Sequence, residues 1–120
     1  MENPSSISFV KTMVLSCFDS EERGAGNGYV AVPPTHPLYG KTDFEIFEAN
    51  CLHVAGELSL AMNADAARKL LECVPDSVPG DWWIIGFDTM CMGMTTANWP
   101  MARVIEETKK MKEQIDSMVA

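Results

Sequence analysis

The chain has 120 residues, enough for one domain that buries its own core without a disulfide or metal staple. Apolar residues at 47% and charged residues at 22% are ordinary for a soluble globular domain, and no apolar run reaches the length of a membrane span. The 17 acidic residues outnumber the 9 basic ones, for a net charge of -8, and no third of the chain is basic; this argues against a role built on neutralising a nucleic-acid backbone.

The opening Met1-Glu2-Asn3-Pro4 has no basic n-region and does not read as a signal peptide. Ile7 to Ser16 is rich in β-branched and aromatic side chains and predicts a strand. Asp19 to Asn27 is polar and glycine-rich and predicts a flexible turn. No Lys-Ser/Thr pair follows these glycines, so they are not a phosphate-binding loop. Gly28 to Val32 predicts a second strand, and Pro33 to Pro37 a stiff, extended connector closed by a turn at Leu38-Tyr39-Gly40. Lys41 to Asn50 fits neither the helical nor the strand period. Cys51 to Met62 alternates as a third strand, with Gly56 as a bulge or a point of close approach.

Asn63 is placed to cap a short helix, Ala64 to Cys73, which Pro75 ends. Pro79-Gly80-Asp81 marks a turn before Trp82 to Phe87, a strand apolar on both faces and hence central in the sheet. The clearest element is the last. Asn98 or Trp99 caps a helix that Pro100 opens, with Met101, Val104, Ile105, Thr108, Met111, Ile115 and Met118 on one face. Arg103–Glu107, Glu106–Lys110, Lys109–Glu113 and Lys112–Asp116 have ion-pair spacing elsewhere on the same helix.

The four cysteines, Cys17, Cys51, Cys73 and Cys91, have long irregular gaps and no C-x-x-C pair. They read as reduced thiols in a cytoplasm; no metal and no cofactor is expected. Met90, Met92 and Met94 alternate directly after the apolar strand. Continued as a strand they share one side, either a buried sheet face or an adaptable surface for a partner or second subunit.

The candidates for chemistry are few. His36 lies in the proline-rich connector and His53 in the third predicted strand; each is a base or donor near neutral pH, or a structural residue. Asp88 ends the apolar strand, as a site carboxylate or as a cap for the loop that follows. Glu57 sits mid-strand and faces water in the simplest reading. Tyr39 and Trp99 border turns and are the aromatic platforms on which a planar ligand would stack. Lys41, Arg68 and backbone amides are the local donors that a net-acidic chain offers an anionic nucleotide.

Three stretches carry a resemblance: GYVAVPPTHPLYGK at Gly28 to Lys41, GELSL at Gly56 to Leu60, and WWIIGFDTMCMG at Trp82 to Gly93, before a terminal RVIEETKKMKEQI. Together they resemble a family of small uncharacterised bacterial and phage proteins. That family carries a GYV-x-VPP-x-HPLYG block, a His-Gly-Gly-Leu-Thr block and a Trp-Trp-x-Gly-Phe-Asp-x-Ala-His-x-Gly-Asp block. His36, Tyr39, Gly86 and Asp88 match. The family's second-block histidine falls near Ala55, its third-block histidine at Cys91, and its terminal aspartate at Met94. The resemblance implies that polar positions have been replaced by apolar ones, which argues for binding over turnover.

These readings combine into one expectation. The fold is α+β: a small antiparallel sheet of four to five strands, one face covered by the long C-terminal helix and the short 64–73 helix. The function is a non-enzymatic, phage-type binding protein of counter-defence character, in the cytoplasm, that of the host if the chain is phage-encoded. It sequesters a nucleotide-derived signal or occludes a host defence protein. His36, Tyr39, His53 and Asp88 converge on one pocket, with Lys41 and Trp99 beside them. Met90, Met92 and Met94 form a homo-oligomer interface, a dimer by preference. The alternatives are a small hydrolase using His36, His53 and Asp88, and a structural or assembly subunit.

Overall fold

The computed structural model describes residues 6–12, 24–91 and 93–118. Its elements are β1 (Ile7–Thr12), β2 (Gly26–Val32), α1 (Asp43–Ala49), β3 (Glu57–Asn63), α2 (Ala64–Leu70), β4 (Trp83–Asp88) and α3 (Met101–Asp116). The strands form one antiparallel sheet in the order β1-β2-β4-β3. The fold is α+β as expected, with four strands among the described residues. Residues 13–16 of the first predicted strand, together with Cys17 and Met92, lie outside the described residues. No helix is long and apolar enough to cross a membrane among the described residues.

Strand alternation sorts the core into two layers. Val30, Val32, Ile85 and Phe87 point to one face, where they meet Val104, Met111 and Ile115 of α3. Tyr29, Ala31 and Ile84 point to the other, where they meet Ala64 and Ala67 of α2 and Leu71, Val74 and Val78 beyond it. The two helices therefore cover opposite faces, not the same one. The physical reason lies in β3. A register shift between Leu58 and Leu60 inverts the parity of the strand, sending Leu58 to the α3 face and Leu60 and Met62 to the other. Asn63, which ends β3 and caps α2 through Ala66 N at 2.8 Å, then launches α2 over that second face. The bulge sits at Ser59, and Gly56 is the expected point of close approach, where a Cβ would strike the Phe87 ring.

α2 stops at Leu70, short of Cys73, because Leu71 turns extended to bury its side chain against the sheet. Arg68 then ties the following loop down, donating to Pro75 O at 3.0 Å and to Val78 O. The sequence before Glu57 is not strand: β4 ends at Asp88, opposite Glu57, and offers residues 51–56 no partner. α3 supplies one instead. Gln114 Oε1 accepts from His53 N at 2.7 Å, and its amide donates to His53 O at 2.6 Å. Glu107 Oε1 accepts from Ala55 N at 2.7 Å, which explains a buried carboxylate on the packed face of α3.

β2 begins at Gly26, inside the predicted turn. A Cβ at Gly28 would strike Thr108 Oγ1 and the Phe87 ring, so glycine here lets α3 lie close on the sheet. The Pro33–Pro37 connector is not extended. It folds into successive turns, His36 N to Pro33 O at 3.0 Å and Tyr39 N to His36 O at 3.0 Å, because the fixed proline φ suits a turn as well as an extended chain. Pro100 itself is the N-cap of α3; Asn98 caps the preceding turn by exchanging bonds with Thr95. Ile105 is 40% exposed, one step around the helix from fully buried Val104, so it leaves the predicted core face. Of the four spaced ion pairs, Lys112–Asp116 closes at 2.5 Å; Glu107 turns inward and Arg103 lies over the Trp99 ring at 3.9 Å.

Candidate functional site

The sheet separates the expected site residues. β2 and β4 run antiparallel with Val32 opposite Trp83 and Gly28 opposite Phe87. His36, beyond Val32, and Asp88, beyond Phe87, therefore lie at opposite ends of the sheet. The six residues of β4 span roughly 17–20 Å. The expected convergence of His36 and Asp88 does not occur, and neither does the hydrolase trio of His36, His53 and Asp88. His36 is engaged at both ring nitrogens: Nε2 bonds Ile115 O at 2.7 Å and Nδ1 accepts from Leu38 N at 3.1 Å. It fastens the turn to the end of α3.

Tyr39 lies tilted against Trp83, ring centroids 5.8 Å apart, and Lys41 O accepts from Trp83 Nε1 at 2.9 Å. Both residues stay with His36. Trp99 is buried at 4% exposure against Phe87 and beneath Arg103, so it is no exposed platform. Met90 is 50% exposed while Met94 packs on the core, since β4 stops at Asp88 and the alternation does not continue. Met90 and Met94 therefore do not share one apolar face; Met92 lies outside the described residues.

An open cleft of about 620 Å³ lies between α1, residues 50–58 and the loop after β4. α1 is the element whose period was unreadable. Thr42 and Glu45 form a full capping box around its start, at 3.1 Å in each direction, and Asn50 ends it in the left-handed region at φ 52°. Only Ile46 is buried. Phe44 and Phe47, three apart, share a side turned from the core and are 64% and 73% exposed. They line the cleft together with His53, Glu57, Cys91 and Met94.

Glu57, which lines the cleft, faces Asp88 across the β3–β4 ladder. Two carboxylates directly opposite repel. The Cys91 thiol donates to Glu57 Oε2, and Asp88 Oδ1 accepts from Met90 N at 3.0 Å. That bond from the thiol, burial and the two negative charges raise the Cys91 pKa to about 11. A thiol held this firmly protonated is a poor nucleophile. One atom each of Glu57, Asp88 and Cys91 lies within 4.8 Å of the others, a set of three potential cation ligands in reach of solvent. Structural zinc sites take four.

Of the expected residues, the structure thus keeps His53 in the cleft, with Asp88 across the ladder from its Glu57. Phe44 and Phe47 were not anticipated, although Thr42-x-x-Glu45 is the sequence signature of a helix start and would have placed them on one side. Glu57 faces water, as read, but does so beside a second carboxylate that only strand pairing reveals. No family model, curated protein or solved structure matches this chain.

Proposed function

We propose that this chain is a non-enzymatic binding protein and that the α1–β3 cleft is where it holds a protein partner. The observation that carries the reading is the pair of exposed phenylalanines, Phe44 and Phe47, on a capped helix above an open cleft. Contiguous exposed aromatic surface of this kind is typical of a recognition site. The departures from the resembling blocks add to it. Ala55, Cys91 and Met94, which stand where that family has histidine, histidine and aspartate, all line this cleft.

Between a nucleotide-derived ligand and a protein, the charge favours the protein. Asp43 and Glu57 line the cleft and no lysine or arginine does so among the described residues. Arg68 is spent on Pro75 and Val78 carbonyls, and Lys41, whose carbonyl accepts from Trp83 Nε1, does not line the cleft. An anionic phosphate has no donor cluster here to replace its water. The phage-type resemblance supplies the setting: occlusion of a host defence protein in the host cytoplasm, the chain's negative field meeting a basic surface.

Mass spectrometry of the natively purified chain tests the choice. The expected result is a bare chain with no retained small molecule and no turnover of added nucleotides. A stoichiometric nucleotide-like adduct would move the reading to sequestration, and turnover would replace it with an enzyme.

A further inference from the structure

Three properties of the cleft bear on its occupant. Its apolar wall is Phe44 and Phe47, held outward because Ile46 anchors the opposite side of α1. Glu57 and Cys91 line one part of the cleft, and Asp88, outside the lining, faces Glu57 across the ladder; the two carboxylates repel each other and have the Cys91 thiol and the Met90 amide as neutral donors. Its volume of about 620 Å³ takes several side chains at once.

Resting on the reading of this cleft as the binding site, we propose that its occupant is a peptide segment with an apolar anchor side chain next to a lysine or arginine. The anchor seats against Phe44 and Phe47, and the cation seats between Glu57 and Asp88. A cation placed between two facing carboxylates removes their repulsion and gains both attractions. The chain's net charge of -8 draws a basic segment in and repels an acidic one. A second copy is the poorer occupant, because it would bring another charge of -8 to the same acidic rim.

The test is selection of displayed short random peptides on the full chain, followed by affinity measurement of the winners. The expected winners place an apolar residue within a few positions of lysine or arginine, and they weaken as salt rises. A Phe44→Ser, Phe47→Ser variant should bind them about thirtyfold more weakly, as for loss of an interface hot spot. A Glu57→Gln, Asp88→Asn variant should lose about tenfold for basic winners and nothing for neutral peptides. Circular dichroism and melting confirm that both variants fold, which exposed positions permit. Neutral winners that still need Phe44 and Phe47 would overturn the cation seat and leave the cleft reading standing. Winners indifferent to both variants, or no winners, would overturn both. Tight binding of zinc alone, lost in the carboxylate variant, would assign the carboxylates to a metal and overturn the cation seat.

Discussion

Val104 and Ile105 are adjacent, of similar hydrophobicity, and have different fates: one is fully buried and the other 40% exposed. The buried stripe of α3 is narrow, running through Val104, Thr108, Met111 and Ile115. Met111→Ala is therefore expected to cost about 2–5 kcal/mol, and Ile105→Ala less than about 1 kcal/mol, by denaturant unfolding. Asp116 is a second case of context deciding. Burial raises its pKa, but the bonds from Lys112 and from Ser6, whose hydroxyl donates at 2.6 Å, outweigh that and hold it below the ordinary 3.8. A lowered folded pKa means stability that is fully present above pH 3.8 and fades as pH falls through the folded value. Asp116→Asn should therefore lower the melting temperature at neutral pH, and the difference from the parent should vanish in acid. Cys91 runs the other way. With its pKa near 11 in place of 9.0, the thiolate is about 100-fold rarer at any pH below 9. Iodoacetamide should label it slowly, and Glu57→Gln should speed labelling by about tenfold or more, read by peptide mass spectrometry.

At the scale of elements, strong local signals survived and pairing-dependent ones did not. Asn63 caps a helix, WWIIGF is the centre of a sheet, and the apolar stripe from Met101 is a helix, each written in side-chain chemistry within a few residues. The Cys51–Met62 alternation is real, but only its second half is strand, because β4 ends where it does and α3 takes the rest. β2 starts two residues early for the complementary reason: its glycines are read locally as turn, yet they create the room in which α3 docks. Gly28→Ala is expected to push α3 off the sheet and cost about 1–3 kcal/mol, the range for overpacking, with loss of the α3 packing visible in near-UV circular dichroism. An unchanged melting temperature would mean that α3 docks without that close approach.

For the molecule as a whole, the topology decides which chemistry meets. The antiparallel β2–β4 pair sends His36, Tyr39 and Lys41 to one end and Asp88, Glu57 and Cys91 to the other, while Gln114 holds His53 one residue from the Ile115 carbonyl that His36 bonds. Of the Met90, Met92 and Met94 face expected to join two copies, Met90 is exposed, Met94 packs on the core, and Met92 lies outside the described residues. Self-association would also set two charges of -8 against each other. Light scattering at low salt is expected to show a 13.2 kDa monomer over a wide concentration range. A dimer abolished by Phe47→Ser would make the cleft a self-interface instead.

Fold class, the central strand, the C-terminal helix and the net charge were all legible in the linear chain, because apolar periodicity, caps and composition are local or additive properties. α1 was legible in principle through its capping box, which outweighs an apolar pattern that is unreadable when two phenylalanines face out and one isoleucine faces in. Which polar residues share a site was not legible. Strand order, antiparallel direction and the shift at Ser59 place Glu57 opposite Asp88 and Cys91 beside both, and tie His36 to Ile115. Those are contacts between residues some thirty to eighty positions apart, and they are set by how faces pack, a property that no window along the chain contains.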